Sequence, residues 1–269
     1  MEINFYIIMD QIKKMLKLVG DKLRKFFFPG LCICCHCVLE DKHERFICTV
    51  CKEKWESAKS SHASRLKGVP AVPIEIECES GTRESFVASL VSYRQNALEP
   101  GYSVQKQLIF DLKKHDYISL VNFIAFELNE LIMQTLEGVK GIENFAVVSI
   151  PRNPLNLIDT ANDGVKEVSR EVAKIIGAEY IEVFYKTLFS KEQKRLNATP
   201  REANSKRSIR IKKNAPEKLY GRRVILIDDV VTTGSSVREA SRLLYDICRV
   251  KAVYIYSIAG NADLLLRKG

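Results

Sequence analysis

Nowhere in the 269 residues does an apolar stretch approach the roughly 18–20 residues that a bilayer-spanning helix needs. The start is equally ill suited to export. Phe5-Tyr6-Ile7-Ile8 is short, and Glu2 stands in front of it where a secretory signal has a basic stretch. No transmembrane segment and a cytoplasmic location are therefore expected. Two phosphate-binding signatures are also missing, since no Gly-x-x-x-x-Gly-Lys-Ser/Thr occurs and no Gly-x-Gly-x-x-Gly opens a helix. There is no internal repeat. What remains is ordinary globular composition, 46% hydrophobic and 28% charged, enough for one substantial core and a small appendage.

Charge and cysteine are present but unevenly placed. Between Lys186 and Arg223, thirteen Lys or Arg face three acids, an excess larger than the chain's net +9. Such a concentration points to an anionic partner, phosphates or nucleic acid, with a solvated loop as the plain alternative. Near the start, Ile12, Leu16, Val19 and Leu23 recur at helical spacing among Lys13, Lys14, Lys17, Lys22, Arg24 and Lys25. This basic amphipathic helix suits a membrane surface, a partner, or simply one face of its own domain. Six of eight cysteines fall between Cys32 and Cys51. In a chain without an export signal that clustering reads as metal binding. Cys32 and Cys35 with Cys48 and Cys51 form two CxxC knuckles suited to tetrahedral Zn²⁺, with Cys34 and Cys37 as an alternative first knuckle. Four thiolate ligands close such a site, making it structural.

Three sections are expected: 1–56 with the basic helix and zinc ribbon, 57–83 as a connector through Pro70, Pro73 and Gly81, and 84–269 as the main domain. In the last section, strands are expected at Phe86–Val91, Phe145–Ile150, Tyr180–Phe184, Val224–Ile227 and Ala252–Tyr256. Helices fit Val104–Leu112, Ile118–Leu136, Val165–Ile176 (stopped by Gly177) and Ser235–Cys248. Alternation of this kind gives an α/β fold with an open, mainly parallel sheet flanked by helices. The segment from Lys186 to Tyr220 is too long for an ordinary connection and is read as functional.

The centre of the chemistry is Val224-Ile225-Leu226-Ile227-Asp228-Asp229-Val230-Val231-Thr232-Thr233-Gly234-Ser235-Ser236. Its apolar run makes a buried strand whose carboxyl end is where ligands of open α/β sheets gather. Adjacent carboxylates there accept from sugar hydroxyls or hold hydrated Mg²⁺. The Thr232–Ser236 stretch supplies hydroxyls and backbone N–H groups at a helix start that favours phosphate. This resembles the phosphoribosyl pyrophosphate (PRPP) signature of type I phosphoribosyltransferases at all thirteen positions. The resemblance implies ribose contacts, with Mg²⁺, for Asp228 and Asp229, and 5′-phosphate contacts for Thr232, Thr233, Gly234, Ser235 and Ser236. It further implies pyrophosphate contacts at Arg152 and Asn153. A mobile basic loop containing Lys191, Lys194, Arg195 and Arg201 would close over PRPP and shield it from water.

A zinc ribbon ahead of a PRPP motif is similar to the layout of the competence protein F (ComF) family. Phe27-Phe28-Pro29, Tyr93-Arg94 before Leu112-Lys113, and Gln193, Leu196, Arg201 and Asn204 resemble that family's motifs. Thr160-Ala161-Asn162-Asp163-Gly164 departs from its Arg-Gly-Phe-Asn-Gln or Tyr-Gly-Phe-Asp-Gln. The resemblance implies handling of single-stranded DNA in competence, with DNA-uptake proteins as partners. The rival expectations are a Mg²⁺-dependent phosphoribosyltransferase of nucleotide salvage or synthesis and a non-catalytic PRPP sensor.

Overall fold

The computed structural model describes residues 30–39, 47–93, 101–114, 118–152, 163–186 and 209–261. They divide into two units, Met1–Glu53 and Lys54–Gly269. The helices are α1 (Thr49–Arg65), α2 (Tyr102–Lys114), α3 (Ile118–Thr135), α4 (Gly164–Ile176), α5 (Ala215–Leu219) and α6 (Ser235–Asp246). The strands are β1 (Val72–Cys78), β2 (Gly81–Ser92), β3 (Ala146–Ser149), β4 (Glu179–Tyr180), β5 (Phe184–Lys186), β6 (Ile209–Ile211), β7 (Arg223–Val231) and β8 (Ala252–Gly260). No helix of the described residues is long and apolar enough to cross a membrane. The basic amphipathic segment at residues 12–25 and Phe27-Phe28-Pro29 lie outside the described residues.

Six strands form one sheet in the order β1-β2-β8-β7-β3-β4. All pairings are parallel except β1 with β2. The open, mainly parallel sheet flanked by helices is thus present. Its centre is where the apolar runs lie. All four residues of β3 are buried, and so are Val224, Ile225, Leu226 and Ile227 of β7, as a strand covered on both faces requires. The flanking helices are amphipathic in the expected way. Helix α4 buries Val165, Val168 and Val172, starts on the Asp163 side chain and stops at Gly177, whose φ of 71° is left-handed.

Two stretches differ from expectation. Residues 57–83, expected as a connector, complete α1 and form β1. The buried stripe of α1 consists of Cys51, Trp55, Ala58 and His62, so it lacks the aliphatic residues that mark most helices. In β1, Val72, Ile74 and Ile76 point inward, while Pro73, Glu75 and Glu77 face out on the sheet's edge. Proline and charge there discourage pairing with another chain. The strand expected at Tyr180–Phe184 is split. Glu179–Tyr180 pairs with β3, whereas Phe184–Lys186 leaves to pair antiparallel with β6. Glu182 at the break is tied to Lys166 of α4 and to Lys212 at 2.8 Å. Those two cations hold its carboxyl down to about 2.

Candidate functional site

The pattern of β7 places Asp228 and Asp229 where the central strands approach their carboxyl ends. The strand runs on to Val231, with Asp228 level with Ser257 of β8 and Val231 level with Gly260. The Asp229 N–H donates to Asp228 Oδ1 at 2.9 Å, turning the first carboxylate back on the chain. Asp229 Oδ2 pairs with Lys113 Nζ at 2.8 Å, from the last turn of α2. Burial, and then the negative charge of Asp229, pushes the Asp228 carboxyl up to about 8, against partial relief from Lys186, the Asp229 N–H and Lys113.

A third carboxylate joins them. Asp163 caps α4 by accepting from the Lys166 N–H at 3.3 Å and from the Arg152 N–H at 3.5 Å. Burial raises its pKa, opposed by those N–H groups and the Arg152 charge, and Asp229 adds to the rise. Arg152 Nη1 donates to the Lys113 carbonyl at 2.7 Å, tying the β3 end to α2. From β5, Lys186 faces all three acids. Burial lowers its pKa, and the attraction of Asp228, Asp229 and Asp163 opposes that fall. Three acids and three cations from five different segments therefore converge on one end of the sheet. The adjacent Asp228 and Asp229 offer hard oxygens of the kind that suit a hydrated Mg²⁺, whose charge would counter the rise at Asp228.

Beside the acids the chain turns into α6. Thr232 and Thr233 are exposed, and Gly234, Ser235 and Ser236 are half-buried. Gly234 has φ 73°, so its left-handed conformation calls for glycine; the nearest atom to a Cβ there, Arg238 Nη1 at 2.8 Å, is the end of a flexible side chain that can move aside. Thr233 Oγ1 lies 3.0 Å from Ser235 Oγ and accepts from the Ser235 N–H at 3.4 Å. Arg238, one turn on, donates to the Thr233 carbonyl at 3.2 Å. Hydroxyls, a helix N-terminus and a guanidinium together form a cradle for a phosphate-sized anion.

The sequence-expected residues Asp228, Asp229 and Thr232–Ser236 are thus contiguous, with Arg152 nearby. Asn153, Lys191, Lys194, Arg195 and Arg201 lie outside the described residues, as do Arg94, Gln193, Leu196 and Asn204. The base of the basic segment is described. Lys186 and Ile209 are partners in the β5–β6 ladder, so the two ends of the segment lie side by side. Sequence reading missed Lys113, Asp163, Lys186 and Arg238 as site members. Only the helix-end positions of Lys113, Asp163 and Arg238 hinted at them.

In the first unit, Leu31 bridges Val38 and the Cys32 N–H donates to the Cys37 carbonyl at 2.8 Å, forming a tight knuckle. The ligand atoms of Cys32, Cys35, Cys48 and Cys51 all lie within 4.8 Å of one another. Cys35 and Cys48 are 3.7 Å apart, close to the ~3.8 Å edge of a tetrahedron with ~2.3 Å Zn–S bonds. Burial raises the Cys32 thiol, but the N–H groups of Cys48, Cys35 and Cys34 outweigh it and bring it to about 6. Cys51 is pushed up, first by burial and then by the neighbouring thiols. Four thiols that cannot all ionise unaided fit a divalent metal well. Cys34 stands outside this group. Cys37, 3.4 Å from Cys35, is exposed and pushed up to about 12 by that contact.

The family model described as the phosphoribosyl transferase domain matches residues 123–267, more than half the chain. No curated protein matches. Among solved structures, the chain is similar to a hypoxanthine phosphoribosyltransferase from Staphylococcus aureus at 14% identity and a TM-score of 0.33. That alignment covers 52% of this chain and 62% of the other. It is also similar to an adenine phosphoribosyltransferase from Saccharomyces cerevisiae at 17% identity and a TM-score of 0.32, over 76% of this chain and 91% of that one.

Proposed function

The chain belongs to the phosphoribosyl transferase domain family, and from that premise we propose that it binds PRPP with Mg²⁺ at the carboxyl end of β7. One observation carries the reading: an acid pair at the strand end leads directly into a glycine-opened helix start with its hydroxyls and Arg238. Asp228 and Asp229 would accept from the ribose hydroxyls, and Thr232–Ser236 with Arg238 would hold the 5′-phosphate. Arg152, Lys113 and Lys186 supply positive charge where pyrophosphate would sit. Asp228 and Asp229 are the residues that would hold a hydrated Mg²⁺, which supplies charge neutralisation for a pyrophosphate leaving group. Asn153 and the basic residues Lys191, Lys194, Arg195 and Arg201 would complete the enclosure. The reaction that fits is phosphoribosyl transfer through an oxocarbenium-like transition state, and a non-catalytic PRPP sensor would use the same contacts. Titrating PRPP with Mg²⁺ in a calorimeter tests this: saturable one-to-one binding is expected, and its absence at millimolar PRPP contradicts it.

The finer reading is a ComF-type role with single-stranded DNA and competence proteins. The charge of the Lys186–Arg223 segment favours it. Some of that charge is already matched, since Lys212 pairs with Glu182 and Arg222 with Glu179. Fluorescence anisotropy with a labelled single strand should show affinity falling by about 0.7 log units per tenfold salt for each phosphate neutralised. No binding at low salt removes this reading. In the first unit, Cys32, Cys35, Cys48 and Cys51 would hold one structural Zn²⁺.

A further inference from the structure

Away from the acids, a cavity of about 320 Å³ opens between α1, α3 and β2. Its position follows from the sheet. Pairing of β1 with β2 ends at Val72 and Val87, so among the described residues no strand lies beside this edge of β2 beyond Val87. Ser89 and Leu90 on that stretch line the cavity. Ser89 is level with Ser257 of β8, which is level with Asp228 of β7, so β2 and β8 stand between the cavity and the acids. The volume is at the lower end of the roughly 300–1,000 Å³ typical of small-molecule pockets.

The lining is mixed in an instructive way. His62 is 2% exposed, yet neither ring nitrogen makes a well-formed hydrogen bond, although the Ser89 backbone lies close enough to favour its protonated form. A buried imidazole without partners is costly, and one held neutral offers one donor and one acceptor. Glu127, also buried, accepts from Trp55 Nε1 at 3.1 Å and pairs with Lys59, both through Oε2. Lys59 is shared further with Glu56 at 3.0 Å, so its charge is already matched. Glu130 and Gln134 add a carboxylate and an amide, while Leu66 and Leu131 supply apolar wall. His62, Glu127 and Glu130 do not form a metal-ligand group; among the described residues the only such group is the cysteine cluster.

We propose that this cavity binds an uncharged planar heterocycle bearing N–H donors, of free nucleobase size, at a site separate from the PRPP site. Carboxylate and amide oxygens accept from its N–H groups, the imidazole meets a ring donor and acceptor, and the leucines cover its faces. A phosphorylated ligand is disfavoured because Lys59, the one cation among the described lining residues, is matched by two glutamates and a further carboxylate lines the wall.

Trp55 is the only tryptophan of the chain, and its indole N–H is bonded to Glu127, so its emission reports directly on the cavity. Adenine and cytosine titrated into the full chain should change that emission saturably, with AMP at least about tenfold weaker. Ala63→Phe, at an exposed position lining the cavity, should weaken base binding about tenfold or more while circular dichroism stays native. His62→Phe should do the same, whereas Asp228→Asn with Asp229→Asn should leave it unchanged. A cavity that holds only water gives no saturable change with either base, which overturns the proposal. So does binding that survives Ala63→Phe, or binding lost in the aspartate variant, which would place the bases at the PRPP site instead.

Discussion

His62 shows how one residue's surroundings set its charge. Burial, and secondarily the Arg65 charge, brings its pKa down to about 4, while the Ser89 backbone nearby opposes the fall slightly. An unfolded chain takes up a proton at this imidazole near pH 6.5, and the folded chain does so only near pH 4. The unfolded state therefore holds more protons in that window, and stability must fall as pH drops through it. The loss from this one group is on the order of 2–3 kcal/mol by pH 4. Urea unfolding between pH 7 and pH 4 should show this slope in the wild type and a shallower one in His62→Phe. Equal slopes would mean that His62 is not held neutral. Asp228 illustrates the opposite sign, a carboxyl whose proton is retained by burial and by its neighbour Asp229.

Helix packing decides where the site residues end up. A Cβ on Gly164 would lie 2.1 Å from the Leu112 carbonyl oxygen and 2.8 Å from Leu112 Cγ, so α4 can approach α2 this closely only with glycine. That contact places Asp163 and Lys113, each one residue away along the chain, in the same site. It also gives a physical reason for glycine at position 164, where the resembled motif has glutamine. Gly164→Ala should destabilise by about 1–3 kcal/mol in urea unfolding and weaken PRPP binding with it. Unchanged stability would show that the two helices separate at little cost. The same packing explains what was legible in the sequence. The apolar run of β7, the Thr-Thr-Gly-Ser-Ser turn and the Val-rich face of α4 are local patterns, and their elements stand where expected. Helix α1 was hidden because Cys51, Trp55, Ala58 and His62 make its buried face, and β1 because Pro73 and two glutamates occupy its outer positions. Lys113, Asp163 and Lys186 were illegible as a group because only the fold brings three distant segments together.

Across the whole molecule, two chemistries are kept in separate units. The Cys32, Cys35, Cys48 and Cys51 thiols lie in residues 1–53, and the β7 acids and the Thr232–Ser236 turn lie in residues 54–269. Elemental analysis should find one zinc per chain, lost in Cys48→Ser and retained in Cys34→Ser, whose thiol stands outside the cluster. Loss in Cys34→Ser would shift the first knuckle to Cys34 and Cys37. The central claim is that the β7 acids and the turn after them form a PRPP site. The most direct measurement is calorimetry of PRPP with Mg²⁺ on the wild type and on Asp228→Asn with Asp229→Asn, a change that keeps size and removes charge. Affinity weakened by at least about tenfold, roughly 1.4 kcal/mol, is the predicted result, and equal affinity in the two proteins would contradict it.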